Sequence, residues 1–192
     1  MNILRRIQYN APVTLTFTFL SLAALCLTSL AGDQFYYVFS VYKAPLSDPL
    51  TYFRVFSHVL GHANWSHLVS NFSFILLIGP ILEETYGSIS LLIMIIITAL
   101  VTGLINVIFF PSSLLGASGV VFMMILLASF TNFNKGEIPL TFILVLVLYL
   151  GRELFNSFGS SGEAGNISQF AHVVGGFIGS LFGFFRVSLR RP

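Results

Sequence analysis

From Thr85 through Asn134 the chain carries no Asp, Glu, Lys or Arg, and Ile7–Gly32 is a second uncharged stretch. A helix crossing a bilayer needs about 20 mainly apolar residues in a row. The first stretch has room for two such helices and the second for one. Composition agrees: charged residues make up 8% of the chain and apolar residues 56%. A soluble domain carries about 25% charged residues, so this chain cannot coat a water-facing surface. That excludes a soluble enzyme, a disordered region and a nucleic-acid binder, whose basic stripe a scattered net charge of +2 does not supply. The lone Cys26 excludes a disulfide framework and a cysteine-rich metal site. The expected class is an all-α integral membrane protein, with residues 1–192 forming one membrane domain.

Charges and turn residues divide the chain into six expected spans. The first covers Pro12–Ala31; its apolar part is longer than the roughly 7–15 residues of a signal-peptide core, so it reads as an uncleaved span. Asp33–Trp65, aromatic and interrupted by Pro45 and Pro49, reads as a long loop with short interfacial pieces. The second span runs from Ser66 to Leu82 and stops at Glu83-Glu84. Pro111 separates a third span, Ile89–Phe109, from a short fourth, Ala117–Thr131. The fifth lies near Ile138–Leu154, a Gly/Ser-rich loop covers Asn156–Ser168, and the sixth is Gln169–Phe185. Six spans put both termini on one side. Arg5, Arg6, Lys135, Arg186, Arg190 and Arg191 share that side, against Lys43, Arg54 and Arg152 on the other. The excess of basic residues places both termini in the cytoplasm, in the plasma or inner membrane of the cell.

Polar side chains inside spans are costly and are functional candidates by default. The second span begins near His58, His62, His67 and Asn71, the fourth with Gly116-Ala117-Ser118-Gly119, the sixth with Ala171-His172. With this topology all three begin at the outer face, so the three clusters converge on one shallow layer, each residue about 1.5 Å deeper than the last.

A nucleophilic serine needs a base within hydrogen-bond reach, which His172 can supply to Ser118. The reaction also needs donors aimed at the developing oxyanion. Ser118 stands at a helix N-terminus, where backbone N–H groups lack partners and the helix dipole favours negative charge. His67 and Asn71, at i and i+4, share one helix face. Gly116 and Gly119 let the backbone bend and another helix come close. Competing chemistries lack their residues. There is no His-Glu-x-x-His run, and the Asp residues, Asp33 and Asp48, both fall in the first loop. No carboxylate inside a span completes a triad, leaving a Ser–His dyad.

His67-x-x-x-Asn71, Gly116-Ala117-Ser118-Gly119 and Ala171-His172-x-x-Gly175-x-x-x-Gly179 resemble the three signatures of rhomboid intramembrane serine proteases, in order and on matching spans. Arg54 and Glu83-x-x-x-Gly87-Ser88 match further family positions. The resemblance covers about 54–183. It implies a six-transmembrane-helix bundle with a large first external loop and a short fourth helix carrying Ser118 at the floor of a water-filled cavity. It implies His172 as general base, and His67, Asn71 and the Ser118 backbone as the oxyanion hole. The fifth span and the Asn156–Ser168 loop resemble the family's lateral gate and cap. Substrates would be single-span membrane proteins cut near the outer end of the span. No cofactor and no metal are implied. One departure stands out: the family usually has Tyr one turn after the serine, and here that residue is Phe122, which can stack on His172 but offers no hydroxyl.

Blander readings compete. Gly116–Gly119 is also a close-packing patch, and Gly175, Gly179 and Gly183 form a small-xxx-small repeat that draws the sixth span against the fourth. His172 alone could be a proton-relay residue, and His67 with Asn71 could tie helices together. His58 and His62, placed in or near the loop where exposure is cheap, read as structural. A zinc site from His58, His62 and His67 lacks a matching ligand pattern. Asn106 reads as interhelical glue. Two other classes remain in view: a small transporter, which would usually show charged or broken midplane helices in two similar halves, and a catalytically inactive rhomboid-like binder, which would lack the Ser or the His.

Overall fold

The computed structural model describes residues 7–130, 138, 140–145, 147–148 and 163–189. Its helices are α1 (Pro12–Ala31), α2 (Asp33–Val38), α3 (Pro49–Ser57), α4 (Trp65–Tyr86), α5 (Ser88–Phe109), α6 (Ser118–Ser129) and α7 (Glu163–Leu189). Residues 140–145 and 147–148 are also helical; the rest of the expected fifth span and residues 156–162 of the expected loop lie outside the described residues. Among the described residues, three helices, α1, α4 and α5, are long and apolar enough to cross a membrane.

α1 has the expected bounds, with Pro12 in its first turn and Gly32, at φ 78°, ending it. Its N-terminus lacks a capping side chain of its own. Glu83 provides one from α4: its carboxylate accepts from the backbone N–H of Val13 at 2.9 Å, the N–H of Thr14 at 3.0 Å and the Thr14 hydroxyl at 2.9 Å. This overturns the reading of Glu83-Glu84 as a helix stop. The carboxylate is used against the positive end of α1, so α4 continues to Tyr86 and ends at Gly87, φ 85°. Close approach at Gly79, where a Cβ would lie 2.7 Å from Thr14 Cγ2, seats α1 on α4.

The 33–64 segment is pinned to the bundle by hydrogen bonds. Asp48 caps α3 through the Leu50 N–H, and its carboxylate pairs with Arg54 at 2.8 Å. The Arg54 contact, followed by the Leu50 N–H, holds the Asp48 carboxyl below its ordinary range. Arg54 also donates to the Tyr37 carbonyl and lies over the Tyr42 ring, 4.7 Å from its centroid. Val41 and Leu114 exchange backbone hydrogen bonds of 2.9 and 2.8 Å. Asn106 donates to the Val41 and Ser112 carbonyls, so it ties α5 to two loop segments and not, as its position suggests, to another helix.

α6 is the core. Every residue from Gly119 to Leu127 except Phe122 is buried, as an all-round apolar helix demands. Its 12 residues span about 18 Å at 1.5 Å each, short of a hydrocarbon thickness of about 30 Å. By length α6 is therefore too short to cross a bilayer on its own. α7 starts earlier than expected: 163–168, read as loop from its Gly and Ser residues, is the first part of the helix.

Candidate active site

The N-terminus of α6 is where the sequence-predicted residues gather. Ala117 precedes it without a side-chain cap, so the first amides of the helix have no intrahelical acceptor. Ser118 is the first helical residue and is half-buried. Gly116, two residues earlier, has φ +124°, a conformation that side chains rarely adopt. The space beside it is taken by α4. A Cβ on Gly116 would lie 2.7 Å from Cε1 and 2.8 Å from Nε2 of His67, and 3.8 Å from Nδ2 of Asn71. Both side chains thus turn polar nitrogens toward the backbone that leads into Ser118. The Asn64 side chain sets the start of α4 by accepting from the His67 N–H at 2.8 Å.

On the other side of α6 lies α7. A Cβ on Gly119 would meet the Ala171 carbonyl oxygen at 3.3 Å, and one on Gly175 would run into the Gly119 backbone. Gly179 lies against the Met123 backbone in the same way, and Gly183 against the Phe130 ring. Two glycines four residues apart, Gly175 and Gly179, thus hold α7 in backbone contact with α6, and Gly183 continues the row against a ring. This sets Ala171 against Gly119 and brings His172 to the same end of α6. The His172 ring stacks on Phe122 with centroids 4.3 Å apart and planes 4° from parallel. Such stacking fixes a ring's orientation and is worth about 1 kcal/mol beyond burial.

The two remaining histidines depart from expectation. His58 and His62 are buried, at 1% and 2% exposure, because the loop folds back under the bundle. His58 Nδ1 lies 3.0 Å from the Val55 carbonyl, and Nε2 lies 3.3 Å from the Thr102 hydroxyl. The His58 carbonyl accepts from the N–H of both Gly61 and Gly116, at 3.2 and 2.9 Å, joining the loop to the α6 approach. His62 lies between the Leu60 carbonyl and the Asn71 side chain, each 3.1 Å from a ring nitrogen. Burial pushes both imidazoles down to about 4. The His62–Asn71 contact went unseen in the sequence, since a nine-residue separation across a loop follows no helical spacing. Among the described residues, no three His, Cys, Asp or Glu side chains come together to hold a metal ion.

Comparison with known proteins bears on this arrangement. Residues 49–189 match the Rhomboid domain family model. The chain is 28% identical to the rhomboid protease GlpG of Haemophilus influenzae over 142 residues, covering 72% of this chain and 71% of that one. It is 29% identical to the rhomboid-related protein 2 of Mus musculus over 158 residues, 72% of this chain but 52% of the mouse protein.

Proposed function

The chain belongs to the rhomboid family, and from that premise we propose that it is an intramembrane serine endopeptidase working through a Ser118–His172 dyad. The observation that carries the reading is the convergence on one helix end. His67 and Asn71 face the Gly116 backbone from α4, while α7 brings His172 alongside from the other side.

The reaction follows from the chemistry of these groups. A substrate helix hides its carbonyls, so it must unwind locally before one can reach Ser118. The Ser118 hydroxyl oxygen bonds to the carbonyl carbon as His172 accepts the hydroxyl proton. The carbonyl oxygen becomes an anion, held by the backbone N–H of Ser118 and by side-chain donors from His67 and Asn71. The tetrahedral intermediate collapses when His172 passes its proton to the departing amine. Water then gives a proton to His172 as its oxygen bonds to the acyl carbon; the second tetrahedral intermediate expels the Ser118 oxygen, which takes that proton back from His172, and the released acid ionises to a carboxylate. Phe122 supplies a flat apolar surface that orients the base and no hydrogen bond.

The substrates are single-span membrane proteins, cut near the outer end of the span, and the enzyme is a six-span bundle of the cell membrane with both termini in the cytoplasm. It needs no cofactor or metal. The test is cleavage of a single-span reporter in proteoliposomes, with fluorophosphonate labelling of the enzyme. Wild type cleaves and is labelled at Ser118, and labelling requires His172. Ser118→Ala cleaves nothing and keeps its thermal unfolding profile. Cleavage by purified Ser118→Ala would overturn the assignment.

A further inference from the structure

His62 lies outside the dyad and outside the oxyanion donors, yet it is fully enclosed and both of its ring nitrogens have partners. Nδ1 is 3.1 Å from the carbonyl oxygen of Leu60. A carbonyl can only accept, so Nδ1 carries the hydrogen. In a neutral imidazole the other nitrogen then has a bare lone pair and can only accept. That nitrogen, Nε2, is 3.1 Å from Nδ2 of Asn71. The pairing settles which way the Asn71 carboxamide faces, because only its NH₂ group can donate to a lone pair. One N–H of that NH₂ is used on His62. The other is left on the nitrogen that faces the Gly116 backbone.

We infer that His62 is a positioning residue of the oxyanion site, a neutral Nδ1–H imidazole that holds the Asn71 amide with its NH₂ group toward the reacting carbonyl. The inference rests on the protease reading above. The loop is built to keep this imidazole fixed. Leu60, whose carbonyl sets the tautomer, is tied back through its N–H to the Ser57 carbonyl at 2.9 Å. A Cβ on Gly61 would collide with the Phe39 carbonyl, so the backbone beside His62 has no room to shift toward α2. The ring packs on Phe72 and, edge to face, on His67, with centroids 5.6 and 5.0 Å away. His67 is the titratable group facing it. Burial keeps the ring neutral well below its ordinary range. A proton on Nε2 would make both nitrogens donors, and the Asn71 amide would have to turn its oxygen to His62, withdrawing its NH₂ from the oxyanion.

Two measurements test this. The first is a double-mutant cycle on reporter cleavage, with kcat and KM separated. His62→Phe keeps the ring packing and removes the acceptor. It lowers kcat by roughly 10²-fold, the scale of a lost or misplaced oxyanion donor, with KM little changed. His62→Gln, whose side-chain oxygen can stand where Nε2 stands, restores most of kcat. In an Asn71→Ala background His62→Phe costs less than about threefold, since its effect runs through Asn71. An equal loss with and without Asn71, or a Gln variant as slow as the Phe variant, would overturn the inference. The second needs no destabilising variant. Imidazole ¹⁵N spectra of the wild-type protein in detergent, assigned through His62→Gln, show His62 with a protonated Nδ1 and a bare Nε2. An Nε2–H tautomer would overturn the inference even if every His62→Phe sample unfolds. Failure of the wild type to cleave or to be labelled at Ser118 would instead overturn the protease reading, which the tautomer measurement does not touch.

Discussion

Along the α6–α7 seam, position is set by missing side chains. Gly175 and Gly179 let one helix backbone lie on another, and the contacts are van der Waals ones. Around the loop from His58 to Asn64, position is set by hydrogen bonds, with ring nitrogens and carbonyls paired in a fully buried pocket. On the proposed reading, the seam brings in the base and the loop orients the donors. The difference teaches which perturbation each half can survive. Close packing tolerates changes of charge state but not of volume. A buried hydrogen-bond network tolerates small shifts of packing but not the loss or reversal of a donor.

The sharpest way to break the comparison is to add volume to the seam. Gly175→Val sets a branched side chain against the Gly119 backbone, which cannot swing aside as a flexible side chain would. Overpacking of this kind costs about 1–3 kcal/mol or more. The expected result is loss of fluorophosphonate labelling at Ser118 together with a lower Tm, while the His62 tautomer is unchanged. If labelling survives, α7 is not held by this contact.

A smaller effect comes from the loop, through pH. The folded protein resists protonating His58 and His62 until about pH 4, whereas the unfolded chain takes up protons near 6.5. Between those values the unfolded state binds more protons. Stability is therefore fully present above about 6.5 and is lost progressively as pH falls toward 4. Thermal unfolding in detergent is expected to show a Tm lower by several degrees at about pH 5 than at about pH 7. Replacing His58 and His62 by Gln flattens that slope, and Gly175→Val leaves it in place. A flat profile in the wild type would mean the two rings are not held neutral.

The smallest effect on turnover is within the seam. Phe122→Ala removes the ring stacked on His172 and is expected to cost the stack's roughly 1 kcal/mol on top of the lost burial of the ring, with a modest fall in kcat and no change in KM. Phe122→Tyr keeps the stack and is expected to stay near wild type. A Tyr variant much faster than wild type would show that a hydroxyl at this place contributes to the chemistry.

The seam was far more legible in the sequence than the loop. Glycines four residues apart on one span and Gly116–Gly119 on another announce close approach by pattern alone, and the bounds of α1 follow from its uncharged stretch, Pro12 and Gly32. Glu83 was misread because a charge normally marks the edge of a span. Here its carboxylate has three donors waiting on α1, a contact between residues about seventy apart that local spacing cannot reveal. The burial of His58 and His62 is hidden for a related reason: loop residues are usually exposed, and this loop is drawn inward by long-range bonds such as those from Gly116 and Leu114 to the 41–58 region and from Asn106 to Val41. The shared face of His67 and Asn71 is legible because both sit on one helix at i and i+4; His62, the hydrogen-bond partner of Asn71, obeys no such period.

The cap that Glu83 places on α1 also bears on how the chain is made. α1 leaves the ribosome first, about seventy residues before the carboxylate that satisfies its leading amides. Until α4 has been synthesised and inserted, the N–H groups of Val13 and Thr14 must find water or a lipid headgroup instead. The leading end of α1 therefore stays open until α4 is in place, and the Glu83 carboxylate joins the two helices at that end.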